Sequence, residues 1–170
     1  MKCVSLWQPW ASLLFSPEPF RKEFETRPRA MGLKTGETIA IQAAKTLDGF
    51  RALDAIPCRD RDLIEASLRA QFPHVNPGTL WQNVVPFGAI IGTLQIGAIL
   101  RVFDINDVIT DQERAFGDFR EGRFAITTCA PSKFPQPIDF IGQQGVFFVP
   151  DHVIEAAVAD TPRQLRSEPA

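Results

Sequence analysis

The sequence predicts an α+β fold, a small mixed β-barrel of five or six strands with flanking helices. Three observations lead there. Six strand-like stretches recur along the chain, at about 3–6, 21–27, 38–44, 88–104, 123–128 and 145–149. The longest is interrupted by Gly92 and Gly97, as strands are where a barrel wall bends. Between the third and fourth stretches lies a helical segment of about 46–71, divided by Pro57. At 170 residues the chain suits one domain, residues 1–150, which buries roughly two thirds of its unfolded surface. Residues 151–170 read as a polar C-terminal tail forming a short helix and a loose end.

The elements follow in order. Cys3-Val4-Ser5-Leu6 is a strand entering the core, and Pro9 opens a helix because its φ is preset and its missing N–H has no partner to lose. Ala11, Leu13, Leu14 and Phe15 give that helix an apolar face, which Pro17 and Pro19 end. In Arg21–Arg27 charge alternates with period two, so Glu25 and Arg27 point together as on a half-exposed strand. A glycine loop at 32–36 returns the chain to the apolar strand Thr38–Ala44, at whose end Lys45 stands.

The helical segment carries one apolar stripe, Leu63, Ile64 and Leu68. Four proline and glycine positions make 72–87 mostly loop, with one helical turn near Trp81. Gly88–Asp104 is the longest strand. Thr110 and Glu113 have capping-box spacing and open a short helix ending near Gly117. Pro131, Pro135 and Pro137 confine the link between the last two strands to a loop or an edge.

Composition narrows function. No apolar run is long enough to span a bilayer, and the N-terminus has no signal-peptide core, which points to the cytoplasm and to no membrane partner. Three separated cysteines and two histidines give neither a disulfide framework nor metal-ligand spacing, so no metal is expected. No phosphate loop or dinucleotide fingerprint is present, so no cofactor is expected. A net charge of −2 argues against coating of duplex nucleic acid through many phosphate contacts, although a local basic cleft remains open.

The chemistry-bearing residues gather around Trp7-Gln8-Pro9-Trp10. An indole for stacking beside an amide that donates and accepts is a minimal reader of an unpaired base. The alternative makes Trp10 core and gives Gln8 to open backbone at the helix start. Arg27 can grip a phosphate or base edge with Glu25 orienting it, or the two are a plain ion pair. Lys45 faces either ligand or solvent. Gly117 and Gly142-Gln143-Gln144-Gly145 are turns that, with Arg123 and Gln144, can form a rim.

In order along the chain, Gln8-Pro9-Trp10-Ala11, Glu25-Thr26-Arg27, Ile39–Lys45, Gly88–Gly92, Phe116–Phe119, Gly122-Arg123-Phe124 and Gly142–Gly145 resemble the ASCH (activating signal cointegrator homology) domain of the PUA-like fold, over about residues 4–149. The resemblance implies a PUA-like barrel that binds single-stranded RNA or a modified nucleoside through Trp7, Gln8, Trp10, Arg27, Lys45, Arg123 and Gln144. It also implies an enzymatic alternative. Some ASCH-like proteins are amidohydrolases that deacylate acetylcytidine with a Lys, a Thr and a Glu, and others are ribonucleases. Lys22 matches the Lys, Glu25 stands where the Thr would be, and Glu113 is an unanchored counterpart of the Glu. A carboxylate cannot replace a hydroxyl nucleophile directly. Lys22 and Glu25 would instead act as base and acid. A third expectation is a protein partner docking on the Leu63 and Leu68 face.

Overall fold

The computed structural model describes residues 1–159. Six strands form one mixed sheet: β1 (Lys2–Leu6), β2 (Phe24–Arg27), β3 (Thr38–Ala43), β4 (Ala89–Arg101), β5 (Phe124–Asp139) and β6 (Val146–Phe148), in the spatial order β2-β5-β4-β3-β1-β6. Only the β1–β3 pair is parallel. The sheet curls into a half-barrel, the α+β architecture expected. Its ladder ends at β2 and β6, yet Arg27 on β2 reaches across to donate to the Ser5 carbonyl of β1 at 3.3 Å. That bond spans strands separated by three others in the sheet, so it measures how far the sheet curves.

Glycine drives the curvature where expected. The β4 register shifts between Ile90 and Gly92 and again between Ile96 and Ile99, around Gly97. Gly97 lies against the Thr127 side chain, a space that a Cβ would fill. β4 stops at Arg101, short of Asp104, because Val102–Ile105 (α4) turns away as the Val102 N–H donates to the Arg123 carbonyl at 3.0 Å. β5 runs far beyond Thr128. Its prolines at 131, 135 and 137 are tolerated because β2 pairs only with residues 124–127, leaving the later outer side a free edge.

The remaining helices are α1 (Trp10–Leu13), α2 (Asp48–Ala52), α3 (Cys58–Gln71), α5 (Asp111–Phe116) and α6 (Asp151–Ala159). Pro9 sits one residue ahead of α1, its carbonyl accepting from Ser12 and Leu13. The Thr110 hydroxyl caps α5 by accepting from the Glu113 N–H at 3.2 Å. Val4, Leu6, Ile39, Ile41, Leu94 and Leu14 fill the inside of the curl, while Cys3, Ala40, Ile90, Phe147 and Ile154 form a second core on which α6 lies. Burial in that core pushes the Cys3 thiol up to about 12, which makes it inert at neutral pH. The rest of the expected tail, 160–170, lies outside the described residues. Among the described residues no helix is long and apolar enough to cross a membrane.

A third core joins Leu13, Ile64, Leu68, Val85 and Phe116, with Leu63 half-buried against it. It consumes the apolar stripe expected to receive a protein partner. The stripe faces inward because α1 and α5 supply the apolar cover that a lone helix would have sought elsewhere.

Candidate functional site

One cleft of about 1560 Å³ opens between the end of β1, β2, the segment 52–60 and the loop 140–145. Trp7, Trp10, Lys22, Glu25, Arg27, Lys45, Arg123 and Gln144 all line it. They come from segments far apart in sequence, brought together because β2 folds back toward β1. The helical segment, to which sequence assigned packing and a protein-docking face but no cleft residue, supplies one wall with Ala52, Ile56 and Asp60.

Gln8 and Glu113 are not brought to it. Gln8 is completely buried. Its Nε2 donates to the Pro86 carbonyl at 2.8 Å and its Oε1 accepts from the Ser12 N–H at 3.1 Å. Both ends of the amide are used, so the base-reading role expected for Gln8 is replaced by an anchoring one. Glu113 is also buried and accepts from the Glu23 and Phe24 N–H groups at 2.6 and 3.2 Å. Instead of completing the capping box, it holds the start of β2 from behind, away from the cleft. Burial raises its carboxyl above the ordinary range, against the opposing pull of the Lys22 charge.

The floor is ionic. Lys22 is 1% exposed, an unusual state for a lysine. Its Nζ donates to the Phe24 carbonyl and lies 3.6 Å from Glu25 Oε2. The other Glu25 oxygen lies 2.8 Å from Arg27 Nε. Cation, anion and cation therefore alternate along the floor, and β2 points Glu25 and Arg27 the same way, as their spacing predicted. The Arg27 Nε–H is not directed at Glu25, however, and this buried donor has no hydrogen-bond acceptor. The ion pair, misaligned as a hydrogen bond but close, fixes the guanidinium at the floor.

Arg123 repeats that pattern. It is the residue before Phe124, the β5 partner of Arg27, so both guanidinium groups come from one end of the β2–β5 ladder. Arg123 Nη2 donates to the Thr26 carbonyl at 3.2 Å, Nη1 lies 3.4 Å from Asp118 Oδ2, and its buried Nε has no acceptor. Asp118 is held in place by its N–H donating to the Thr26 hydroxyl at 3.1 Å. Hydrogen bonds from Arg120 hold its carboxyl below the usual carboxylate range.

The rim differs from the floor. Trp7 is 49% exposed, whereas Trp10 is half-buried, one side against the third core and the other on the cleft. Lys45 is exposed, stands beside Gly88, and makes no ion pair among the described residues. Gln144 is exposed on the opposite lip. Across the cleft, Lys22, Arg27, Lys45, Arg114 and Arg123 outnumber Glu25, Asp60, Asp118 and Asp139 by one. This near balance fits a ligand carrying few charges.

Sequence reasoning passed over Gln42 and Asp118. Gln42, on β3, is 2% exposed at the cleft. Its Nε2 donates to the Phe140 carbonyl at 2.7 Å and its Oε1 has no donor. The signal was present: Gln42 is the one polar residue in Ile39–Ala44. Among the described residues no group of His, Cys, Asp and Glu side chains is placed to hold a metal ion.

Among solved structures, the ASCH protein of Zymomonas mobilis is similar to this chain at 15% identity over 93% of each chain, with a TM-score of 0.52. The chain has the ASCH fold. A tyrosine-to-phenylalanine variant of that protein is similar at 15% identity, covering 93% of this chain and 96% of the other with a TM-score of 0.51. A serine-to-alanine variant is similar at 16%, covering 93% and 94%, also at 0.51. This ASCH-fold chain contains no tyrosine, so the side chain altered in the first variant has no identical counterpart here. No family model matches the chain, and no curated protein does.

Proposed function

We propose that this ASCH-fold domain binds an unpaired nucleotide of single-stranded RNA, or a modified nucleotide, in the cleft, within the cytoplasmic setting expected from sequence. One observation carries the reading: two guanidinium groups, each held by a carboxylate and a backbone carbonyl, share the cleft with two indoles, and the buried Nε–H of Arg123 has no acceptor. A buried donor without a partner costs about 1–3 kcal/mol, and an anionic oxygen from a phosphate repays it. Trp7 is exposed enough to stack on a base, and stacking contributes about 1–3 kcal/mol per base. Lys45 and Gln144 then reach the backbone from the lips.

The test uses the molecule's own fluorophores. Of the three tryptophans, Trp7 and Trp10 line the cleft, while Trp81 packs against Phe72 and Arg69 outside it. Titration with short single-stranded RNA should quench emission saturably. Trp7→Phe should remove most of the quenching, and Arg123→Ala should weaken binding about tenfold. Unchanged emission and unchanged affinity in both variants would reject the cleft.

A second reading, an amidohydrolase or ribonuclease, is favoured by one feature: a buried lysine paired to Glu25 at the cleft floor. Glu113 drops out of it as a catalytic group because its oxygens are occupied behind β2. Release of acetate from acetylcytidine or cleavage of RNA, lost in Lys22→Met, would establish this reading; absence of both with retained binding would leave the first.

A further inference from the structure

We propose that Gln42 selects the base, accepting a hydrogen bond from the exocyclic amino group of an unpaired cytosine or adenine; this rests on the nucleotide-binding reading above. The Gln42 carboxamide cannot turn over, because its NH2 group is fixed by the Phe140 carbonyl at 2.7 Å and two facing oxygens would repel. Oε1 is therefore the only part left to read a ligand. It is buried and has no donor, in a side chain 2% exposed. An acceptor in this state is satisfied by an N–H that enters the cleft with the ligand.

The shape around Oε1 decides which N–H. The atom occupies the notch left by the missing side chain of Gly142, where any added Cβ would overlap the whole carboxamide. Gln42 and Gly142 both line the cleft, so the notch belongs to it. A recessed acceptor is reached by a donor that protrudes from its ring. The amino groups of cytosine and adenine do so. The ring N–H of uracil does not, since it is flanked by two carbonyl oxygens that would approach Oε1 with like partial charge. Arg27, which donates to the carbonyl of Ser5, the β1 register partner of Gln42, suits the unprotonated ring nitrogen beside the amino group of cytosine or adenine and disfavours guanine, whose amino group stands beside a ring N–H.

Short oligocytidylate and oligouridylate strands of equal length carry the same phosphates, so the ratio of their affinities reports the base alone. The wild-type chain should bind oligocytidylate about tenfold or more tightly. Gln42→Met, which keeps length but removes the acceptor together with the donor to Phe140, should bring the ratio to within about threefold, chiefly by weakening oligocytidylate. Equal wild-type affinities, or a ratio that survives in Gln42→Met, would overturn the selectivity and leave nucleotide binding standing. Loss of both strands in Gln42→Met would assign Gln42 to holding the 140–145 loop and also overturn it. Failure of the wild-type chain to bind either strand would remove the nucleotide reading itself.

Discussion

Replacing Gln8 with leucine separates anchoring from recognition. Leucine keeps nearly the same volume and would bury well, so no large cavity results and the change isolates the polar contacts. Two hydrogen bonds disappear. The Ser12 N–H retains an alternative acceptor, the Pro9 carbonyl at 2.9 Å, so its loss is partial, about 0.5 kcal/mol. The Pro86 carbonyl loses its 2.8 Å donor beside a side chain of zero exposure, a cost of about 1–3 kcal/mol.

Added apolar contact offsets part of this, leaving a net destabilisation of about 2 kcal/mol, or roughly 4–8 °C in Tm for a domain of this size. Urea unfolding and a thermal melt read the stability. RNA affinity measured well below the melting range should be unchanged, because Gln8 does not line the cleft. A tenfold loss of affinity with unaltered unfolding would refute the reasoning and return Gln8 to the ligand.

Gly49→Ala, inside α2, should destabilise although alanine is the better helix former by about 1 kcal/mol: its Cβ would overlap the Gln8 carbonyl oxygen and come within 2.9 Å of the Trp7 Cβ, and urea unfolding that shows stabilisation would mean α2 is not seated on the Trp7–Gln8 junction. Arg27→Ala and Arg123→Ala should each make the slope of log affinity against log salt shallower by about 0.7 if each guanidinium meets one phosphate of single-stranded RNA; unchanged slopes would remove the phosphate contacts. For Glu113, the folded carboxyl titrates above its ordinary value while the unfolded one does not, so between those values the folded chain holds a proton that the unfolded chain has lost. Unfolding free energy should therefore fall as pH rises through that acidic window, and Glu113→Gln should flatten the fall; an identical pH profile in the variant would show that Glu113 does not cause it.

Patterns that depend on neighbours in sequence were readable. The Thr110 cap, the split at Pro57, the shared direction of Glu25 and Arg27 and the bends at Gly92 and Gly97 each follow from local sterics or a period of two or 3.6 residues. The sharing of one candidate cleft by Trp7, Arg27 and Arg123 was readable for a related reason, since strand ends and the junction at Trp7 carry the polar side chains. What escaped depends on partners distant in the chain. Nothing near Gln8 announces that the Pro86 carbonyl, 78 positions away, needs a donor. Nothing near Pro131 tells that β2 is too short to cover the outer side of β5. Gln42 differs: one amide within an apolar strand is a local signal, but its meaning comes from Phe140 and Gly142, which only the curled sheet brings to it.

The buried lysine ties these levels together. A lone ammonium inside a protein costs several kcal/mol, and removing its partners is more damaging than replacing the whole set. Lys22 persists because the backbone around it is held from two sides. Glu113 on α5 accepts the two N–H groups that precede and begin β2, and β2 in turn offers the Phe24 carbonyl and the Glu25 carboxylate to Nζ. The same strand then carries Arg27 across to Ser5, which draws the edge strand β2 toward β1. Glu113 thus governs the cleft without entering it. Lys22→Met should accordingly lower stability by about 3 kcal/mol by taking from Glu25 its ion pair and from the buried Glu113 the nearby positive charge, while the double change Lys22→Met with Glu113→Gln should recover part of that loss. A double variant no more stable than Lys22→Met alone would show that the two groups do not act on one another.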